Sequence, residues 1–115
     1  MPRTNPDFQN GVPELLILKL LARREDMYGY ELVKEIQRAT QESLAYGEGS
    51  VYPVLHGLEA RKLVRTRQEK VAGRTRTYYR LTAAGRKRLE QMAADFARTV
   101  DAVRLVLEDA DVSSA

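Results

Sequence analysis

The side chains best suited to binding a ligand lie in the segment 49–60. This segment combines hydrogen-bonding and small side chains in a helical pattern. Pro53 and His56 stand opposite the apolar positions, with Tyr52 on the flank. Phenol, imidazole and hydroxyl groups bond to base edges and sugar-phosphate oxygens, and an open helix N-terminus favours phosphate. This combination is typical of a helix that enters a nucleic-acid groove. The predicted contact residues of this helix are Ser50, Tyr52, Pro53 and His56.

The same segment also has the pattern of an ordinary amphipathic core helix. Ser50 is expected to be the N-cap, which would place Pro53 in the first turn, where a missing N–H removes no intrahelical bond. Because amphipathic periodicity alone carries no ligand, a purely structural helix with Tyr52 packed and His56 solvated is an equal alternative. The residues predicted to form the buried stripe are Val51, Val54, Leu55 and Leu58.

The distribution of charge favours a polyanionic partner. Residues 61–88 contain 11 basic residues and a single acidic one, Glu69. By contrast, residues 1–60 contain 6 basic and 9 acidic residues, and residues 89–115 contain 2 and 6. A solvated face is the alternative, but the basic block coincides with patterned structure and has few anions nearby, which indicates polyanion binding. The cations assigned to the contact surface are Arg65, Arg67, Lys70, Arg74 and Arg76.

Enzymatic, metal and redox chemistry find little support in the sequence. The chain has no cysteine and one histidine, His56, which excludes disulfides, thiolate sites and histidine-rich metal sites. No Ser/His/Asp arrangement, phosphate-binding loop or carboxylate pair stands out, so we predict no catalytic residue, no metal and no cofactor. No apolar run approaches about 18 residues and no signal-peptide pattern is present, which predicts a cytoplasmic chain without a membrane partner.

The elements that must position the contact residues are predicted to be mostly helical. Residues 1–11 lack periodicity and are interpreted as a flexible arm, and a strongly apolar first helix begins at Pro13. Residues 26–29 form a turn that leads into a second amphipathic helix, and residues 41–49 form the loop before the contact helix. The apolarity of the first helix indicates cover on more than one side, including a second subunit.

A β-hairpin is predicted to follow the contact helix. Two runs of strand-forming residues, 63–69 and 76–81, flank a tip over residues 71–75. Gly73 supports a turn at this tip, because glycine adopts positive φ without steric cost. The hairpin therefore presents most of the basic block as a two-stranded ribbon.

A long final helix is predicted from its N-cap, Thr82, to about Asp109, before a polar tail over residues 111–115. Its apolar residues recur at spacings of three and four in a heptad-like seam. Soluble monomers rarely expose such a surface, so the seam indicates pairing with a second chain, the alternative being that it folds back on its own domain. The predicted dimerisation residues are Leu15, Leu18, Leu89, Met92, Phe96, Val100, Val103 and Leu107.

Together these elements describe a mainly α fold with a small β-hairpin wing. They predict a winged helix-turn-helix over residues 12–81, followed by a C-terminal dimerisation helix over residues 82–110. Between about Leu15 and Leu107 the chain also resembles the PadR-like transcriptional regulators, in the short branch with one C-terminal helix. The segments that carry this resemblance are Tyr28–Leu32, Gly47–Leu55, Leu58-Glu59 and Gly73–Gly85, of which Gly-Ser-x-Tyr-Pro and Tyr-Tyr-x-Leu-Thr are specific.

The resemblance implies a bacterial or archaeal homodimer, usually a repressor, that binds a palindromic double-stranded DNA operator. It implies that the helix from Ser50 enters the major groove and that the hairpin is the wing. Gly57 departs from the pattern, because a bulkier and often basic residue is expected after the histidine. Family members differ in what relieves repression, so a small-molecule effector stays unassigned. The alternative function is a winged-helix protein-interaction module whose basic wing docks on an acidic partner.

Overall fold

Four helices and one three-stranded antiparallel sheet make up the described part of the chain. The structure, a computed structural model, describes residues 8–113. The predicted fold class, mainly α with a small β wing, is confirmed. The elements in chain order are α1 (Phe8–Arg23), β1 (Met27–Tyr28), α2 (Gly29–Ala39), α3 (Glu48–Ala60), β2 (Val64–Val71), β3 (Arg74–Leu81) and α4 (Ala83–Ser113).

The predicted hairpin consists of β2 and β3, with β3 as the central strand of the sheet. The strands pair up to a two-residue turn of Ala72 and Gly73, so the tip is shorter than predicted. Both residues have positive φ, +52° and +79°, as a type I′ turn requires. Gly73 thus has the predicted conformation, whereas Ala72 adopts the same region at a steric cost.

The third strand, β1, was not predicted, because residues 26–29 were interpreted as a turn alone. Met27 pairs with Tyr79 and Tyr28 pairs with Tyr78, which places β1 on the free edge of β3. Two residues are too few for a periodic pattern, so the strand is defined by the long-range pairing and not by local sequence. It anchors the start of α2 to the sheet.

The core lies where α1, α2 and α3 meet the inner face of the sheet. The predicted stripe of α3 is largely confirmed, since Val51, Leu55 and Leu58 are completely buried and Val54 is half-buried. The other buried hydrophobic residues of this core are Ile17, Leu18, Leu20, Leu21, Met27, Leu32, Ile36, Val64, Tyr79, Leu81 and Met92.

Helix α1 begins at Phe8, five residues before the predicted start at Pro13. Residues 8–11 of the predicted arm are therefore helical, and residues 1–7 lie outside the described residues. A proline at the sixth position of a helix removes one intrahelical bond. Pro13 is buried, and burial of its apolar ring offsets part of the cost of the lost hydrogen bond.

An ionic cluster fixes the end of α3 against α1 and α4. The Glu14 carboxylate of α1 accepts a hydrogen bond from Arg61, the C-cap of α3, at 2.6 Å. Arg88 Nε of α4 lies 3.5 Å from the other carboxylate oxygen. The cluster therefore ties three helices together at the point where α3 leads into the hairpin.

Helix α4 begins as predicted, with the Gly85 N–H donating to Thr82 Oγ1 at 3.0 Å. It continues to Ser113, so residues 111–113 of the predicted polar tail are helical and residues 114–115 lie outside the described range. A Cβ on Gly85 would overlap the Leu63 carbonyl, which explains the glycine. None of the described helices is long and apolar enough to cross a membrane.

Candidate nucleic-acid interface

Helix α3 begins at Glu48, three residues earlier than the predicted N-cap at Ser50 implied. Gly47 is the N-cap, and its carbonyl accepts hydrogen bonds from the N–H groups of Ser50 and Val51, both at 3.0 Å. The prediction for Ser50 as N-cap is wrong, because the chain enters the helix from the extended backbone of Gly47, with φ −78° and ψ −179°. Ser50 instead lies in the first turn and is exposed.

Pro53 consequently lies in the second turn of α3 and not in the first, so the prediction of a cost-free proline is also wrong. The N–H it lacks would have bonded to the carbonyl of Gly49 four residues earlier. Gly49 is exposed, and that carbonyl loses its usual intrahelical donor. Pro53 itself is exposed beside it, as expected for a contact residue.

Tyr52 packs inward against α2 instead of projecting from the flank of α3. A Cβ added to Gly29 would overlap the Tyr52 ring, so only glycine fits at the start of α2. Burial raises the pKa of the Tyr52 phenol, as does the charge of Glu48, and a hydrogen bond with the Tyr30 backbone opposes this. Tyr52 therefore sets the spacing between α2 and α3. This position agrees with the alternative in which Tyr52 is packed.

The exposed face of α3 carries no cation. Pro53 and His56 are exposed, and the His56 ring lies 6.3 Å from the Tyr52 ring, centroid to centroid. Its charged residues are both acidic: Glu48 in the first turn, and Glu59, whose carboxylate accepts a hydrogen bond from Thr66 of β2 at 3.2 Å. Glu48 compensates the helix dipole, so this N-terminus attracts phosphate less than the sequence pattern suggested.

Gly57 borders this face, and nothing in the chain explains it. A Cβ at Gly57 would meet no atom of the described residues within 4 Å, and its φ is not positive. Glycine in a helix interior costs about 1 kcal/mol relative to alanine. Neither packing nor backbone conformation within the chain offsets this cost, so α3 has room at Gly57 for an external surface.

The hairpin has two faces with different roles. Thr66 contacts α3, and the residues of its parity continue along the inner face to Lys70, which pairs with Thr75 near the tip. Arg65 and Arg67 have the opposite parity and lie on the outer face, away from α3. Lys70 and Arg74 are exposed at the tip, and neither forms an ion pair with another described residue.

Two of the predicted cations are held on the outer face by aromatic and acidic side chains. The Arg67 guanidinium lies 4.4 Å from the centroid of the Tyr78 ring, and that of Arg76 lies 4.0 Å from the Tyr28 ring. The rings of these two tyrosines pack edge to face, with their centroids 5.6 Å apart. Such stacking fixes the arginines in place while leaving their charge intact.

Asp26 completes this cluster by bridging two strands. Its carboxylate accepts hydrogen bonds from Arg67 at 3.1 Å and from Arg80 at 3.0 Å. Burial acts to raise the pKa of Asp26, but the hydrogen bonds and charges of Arg80 and Arg67 outweigh it and hold the pKa below its usual value. The sequence did not predict that Asp26 and Arg80 belong to this cluster. The one local sign was an acidic residue directly before β1, a strand that was itself not predicted.

The predicted dimerisation residues divide into two groups. Leu18 is completely buried and Met92 is 7% exposed, so both belong to the core of their own chain and not to an interface. Leu15, Leu89 and Val100 are half-buried. The other three residues of the seam are more exposed, with Phe96 37% exposed, Val103 49% and Leu107 71%. The alternative that the seam folds back is therefore correct for its first part only.

The described residues contain no group of three or more His, Cys, Asp or Glu side chains that could hold a metal ion. In two polar hollows on this part of the chain, arginines make up half of the lining residues. This composition suits the binding of an anionic surface.

Comparison with known proteins agrees with this geometry. Residues 17–91 match the model of the transcriptional regulator PadR-like family. The transcriptional regulator Rv3488 of Mycobacterium tuberculosis is 38% identical over 85 residues, which cover 74% of this chain and 76% of that protein.

Solved structures show the same fold. A transcriptional regulator from Clostridium thermocellum superposes with a TM-score of 0.79 at 30% identity, covering 85% of this chain and 95% of its own. A PadR family transcriptional regulator from Eggerthella lenta gives a TM-score of 0.76 at 28% identity, covering 89% and 87%.

Proposed function

The chain belongs to the PadR-like family of transcriptional regulators, and we propose that it acts as a homodimeric repressor of a palindromic operator. Family membership identifies a DNA-binding transcriptional regulator, and confirms the prediction that the protein is not an enzyme. The observation that carries the proposal is the pairing of a cation-free exposed face on α3 with exposed cations at the hairpin tip.

In this proposal α3 is the recognition helix and lies in the major groove. Ser50, Pro53 and His56 project from its exposed face, where a hydroxyl and an imidazole reach base edges or sugar-phosphate oxygens. Tyr52 acts indirectly, because its ring holds α3 against α2. Gly57 permits the backbone of α3 to approach the groove closely.

The hairpin is the wing, and its cations bind phosphate. Lys70 and Arg74 at the tip are exposed and make the first contacts, whereas Arg67 and Arg76 are oriented in advance by their tyrosine partners. Phosphate contacts of this kind fix the register of a protein on a duplex without reading its sequence. The wing therefore supplies affinity, and α3 supplies specificity.

The distal half of α4 is proposed to form the dimer. Phe96, Val100, Val103 and Leu107 follow at spacings of three and four, and the exposure of this seam rises from Val100 to Leu107. A second copy of the same helix buries such a seam, and the resulting two-fold axis matches a palindromic site. The protein is then expected in the cytoplasm, with its operator.

An effector that relieves repression would have to enter between the subunits. The hollow beside the seam is lined by Thr99, Val100, Val103 and Arg104, and its accessible surface is apolar. Dimer packing accounts for this surface as well as a ligand does, so we assign no effector to it.

Salt titration against labelled duplexes tests the proposed function. The protein should select one inverted repeat from a random duplex pool and bind it more tightly than a scrambled duplex at every salt concentration. The runner-up, a module that docks its wing on an acidic protein, predicts equal and weak binding to both duplexes. If the protein is a folded dimer and still enriches no sequence from the pool, the repressor proposal is contradicted.

A further inference from the structure

A second basic surface lies at the base of the hairpin, beside the cations that are proposed to bind the operator. One hollow there gathers Arg23 from the end of α1, Arg65 and Arg80 from the hairpin, and Arg86 from the first turn of α4. Its carboxylate is Glu25, whose side chain is 90% exposed and lies 3.5 Å from Arg80. We call this set the arginine hollow.

The arginine hollow is electrostatically unfavourable in the isolated chain. Arg65 and Arg80 stand directly opposite each other in the β2–β3 register, where like charges destabilise a sheet. Of the two, only Arg80 has carboxylate partners in the described range, Asp26 at 3.0 Å and Glu25 at 3.5 Å. Arg86 adds a cation at the positive end of the α4 dipole, whose first turn has no acidic residue. Among the described residues, no ion pair involves Arg23, Arg65 or Arg86. An anion bound in the hollow would offset these costs.

The arginine hollow faces away from the recognition helix. Arg65 and Arg80 have the opposite strand parity to Thr66, which hydrogen-bonds to Glu59 of α3 at 3.2 Å. At about 3.3 Å per residue, Arg65 is also about 20 Å along β2 from the last residue before the tip. Arg23 and Arg86 belong to α1 and α4, which carry no proposed operator contact, so a duplex held by α3 and the wing leaves this side of the hollow unoccupied.

The composition of the hollow favours DNA over a protein partner. Protein interfaces have an apolar centre depleted in charge, whereas protein–DNA interfaces are polar and strongly positive. Leu21 and Leu81 are buried beneath the hollow and Ala22 is half-buried. Four of the five exposed side chains are guanidinium ions, and the fifth is the Glu25 carboxylate. Guanidinium ions bind phosphate oxygens with two parallel hydrogen bonds.

We propose that the arginine hollow binds the phosphate backbone of a second DNA duplex while α3 holds the first. The protein then passes from one DNA segment to another without a free intermediate. The inference rests on the proposed DNA-binding function, and extends it to a second, sequence-independent site. Binding at the hollow gives the regulator a route to its operator through neighbouring non-operator DNA.

The test measures how fast the protein leaves a labelled operator as unlabelled random duplex is added. With a second site, the dissociation rate should rise in proportion to the concentration of the competitor, because transfer proceeds through a ternary complex. The variant Arg23→Gln/Arg86→Gln should reduce this dependence roughly fivefold or more, since each hollow loses two phosphate contacts. Its operator affinity without competitor should stay within about twofold of the original.

Two further variants separate the hollow from general electrostatics. Lys19→Gln/Lys87→Gln removes the same charge from exposed positions outside the hollow and should keep the competitor dependence. Glu25→Gln removes the exposed carboxylate of the hollow, and the dissociation rate should then rise more steeply with competitor concentration. Thermal unfolding should show Arg23→Gln/Arg86→Gln to be folded and about as stable as the original, because both side chains are exposed and neither forms an ion pair with another described residue.

Each other outcome overturns the inference in its own way. A dissociation rate independent of competitor means that no second duplex binds. Equal loss in the hollow and control variants means that net charge alone speeds transfer. Loss of operator affinity in Arg23→Gln/Arg86→Gln means that these arginines contact the first duplex. Absence of operator binding in the unaltered protein contradicts the proposed function itself.

Discussion

The recognition helix and the wing adjoin in the fold and differ completely in charge. Helix α3 contains no lysine or arginine and two glutamates, whereas β2, β3 and their turn, residues 64–81, contain six cations and one glutamate. A surface without cations gains little from phosphate, and a surface of cations discriminates poorly between bases. The contrast indicates that affinity and specificity are carried by separate elements, which mutations can alter one at a time.

The two elements are nevertheless coupled by position. Thr66 joins β2 to Glu59 of α3, and Gly29 lets Tyr52 seat α3 against α2. A second coupling, between subunits, is proposed for the exposed seam of α4. Changes at these joints should affect reading and anchoring together, whereas changes on either surface should affect only one of them.

The largest effect is expected from Phe96→Asp, which places a carboxylate in the proposed dimer seam. A buried charge without a partner costs several kcal/mol, so the subunits should separate. Loss of bivalency should lower affinity for a palindrome by roughly 10²–10⁴-fold while weak half-site binding persists. Sedimentation should show monomers or aggregates. Ala97→Asp, one residue along and exposed, is the matched control; a dimeric Phe96→Asp protein with full operator affinity would place the interface elsewhere.

Gly29→Ala should disturb the seat of α3 without touching either DNA-facing surface. The added methyl group overlaps the Tyr52 ring, and overpacking of this kind costs about 1–3 kcal/mol. Denaturant unfolding should show the loss, and operator and random-duplex binding should both weaken. Combining Gly29→Ala with Tyr52→Ala should cost less than the sum of the two changes. Strict additivity would mean that the two residues do not share a contact in solution.

His56→Ala should affect reading alone. His56 is exposed on α3 and its removal leaves the core intact, so stability should be unchanged. Loss of a base contact should cost about 1–3 kcal/mol at the operator and almost nothing on random DNA. Fluorescence anisotropy with both duplexes measures the ratio. If both affinities fall by the same factor, His56 positions the helix and reads no base.

Gly57→Ala should give the smallest effect, with opposite signs for folding and binding. Alanine should stabilise α3 by up to about 1 kcal/mol, because the added methyl group meets no atom of the chain within 4 Å. If the backbone of α3 approaches DNA at this point, operator affinity should fall. A more stable variant with unchanged affinity would show that the glycine has no role in binding.

The sequence predicted those features that rest on local pattern. The apolar stripe of α3, the positive φ of Gly73 and the Thr82 cap each depend on neighbouring residues, and each is present. The start of α3 was misplaced, because Ser50 is a good N-cap by type and only the fold shows that Gly47 takes that position. A residue's suitability for a position does not establish that it occupies the position.

Features that depend on contacts between distant residues were not predictable. Strand β1 exists only through its pairing with β3, and the orientation of Tyr52 depends on Gly29, which lies in another helix. Composition identified the basic hairpin but not its two faces, because the alternation of side chains has meaning only once the side facing α3 is known. Leu18 was misassigned to the interface for the same reason, since an apolar pattern does not distinguish the core from a subunit contact.

The most direct test of the division between reading and anchoring is a salt titration of two variants against the unaltered protein, with operator and random duplexes. Lys70→Gln/Arg74→Gln removes about four phosphate contacts per dimer, so the log–log salt slope should become shallower by roughly 3 to 4 on both duplexes. The ratio of operator to random affinity should stay the same. His56→Ala should do the reverse, lowering the ratio and preserving the slope. If each variant changed both quantities to the same extent, the recognition helix and the wing would not have separate roles.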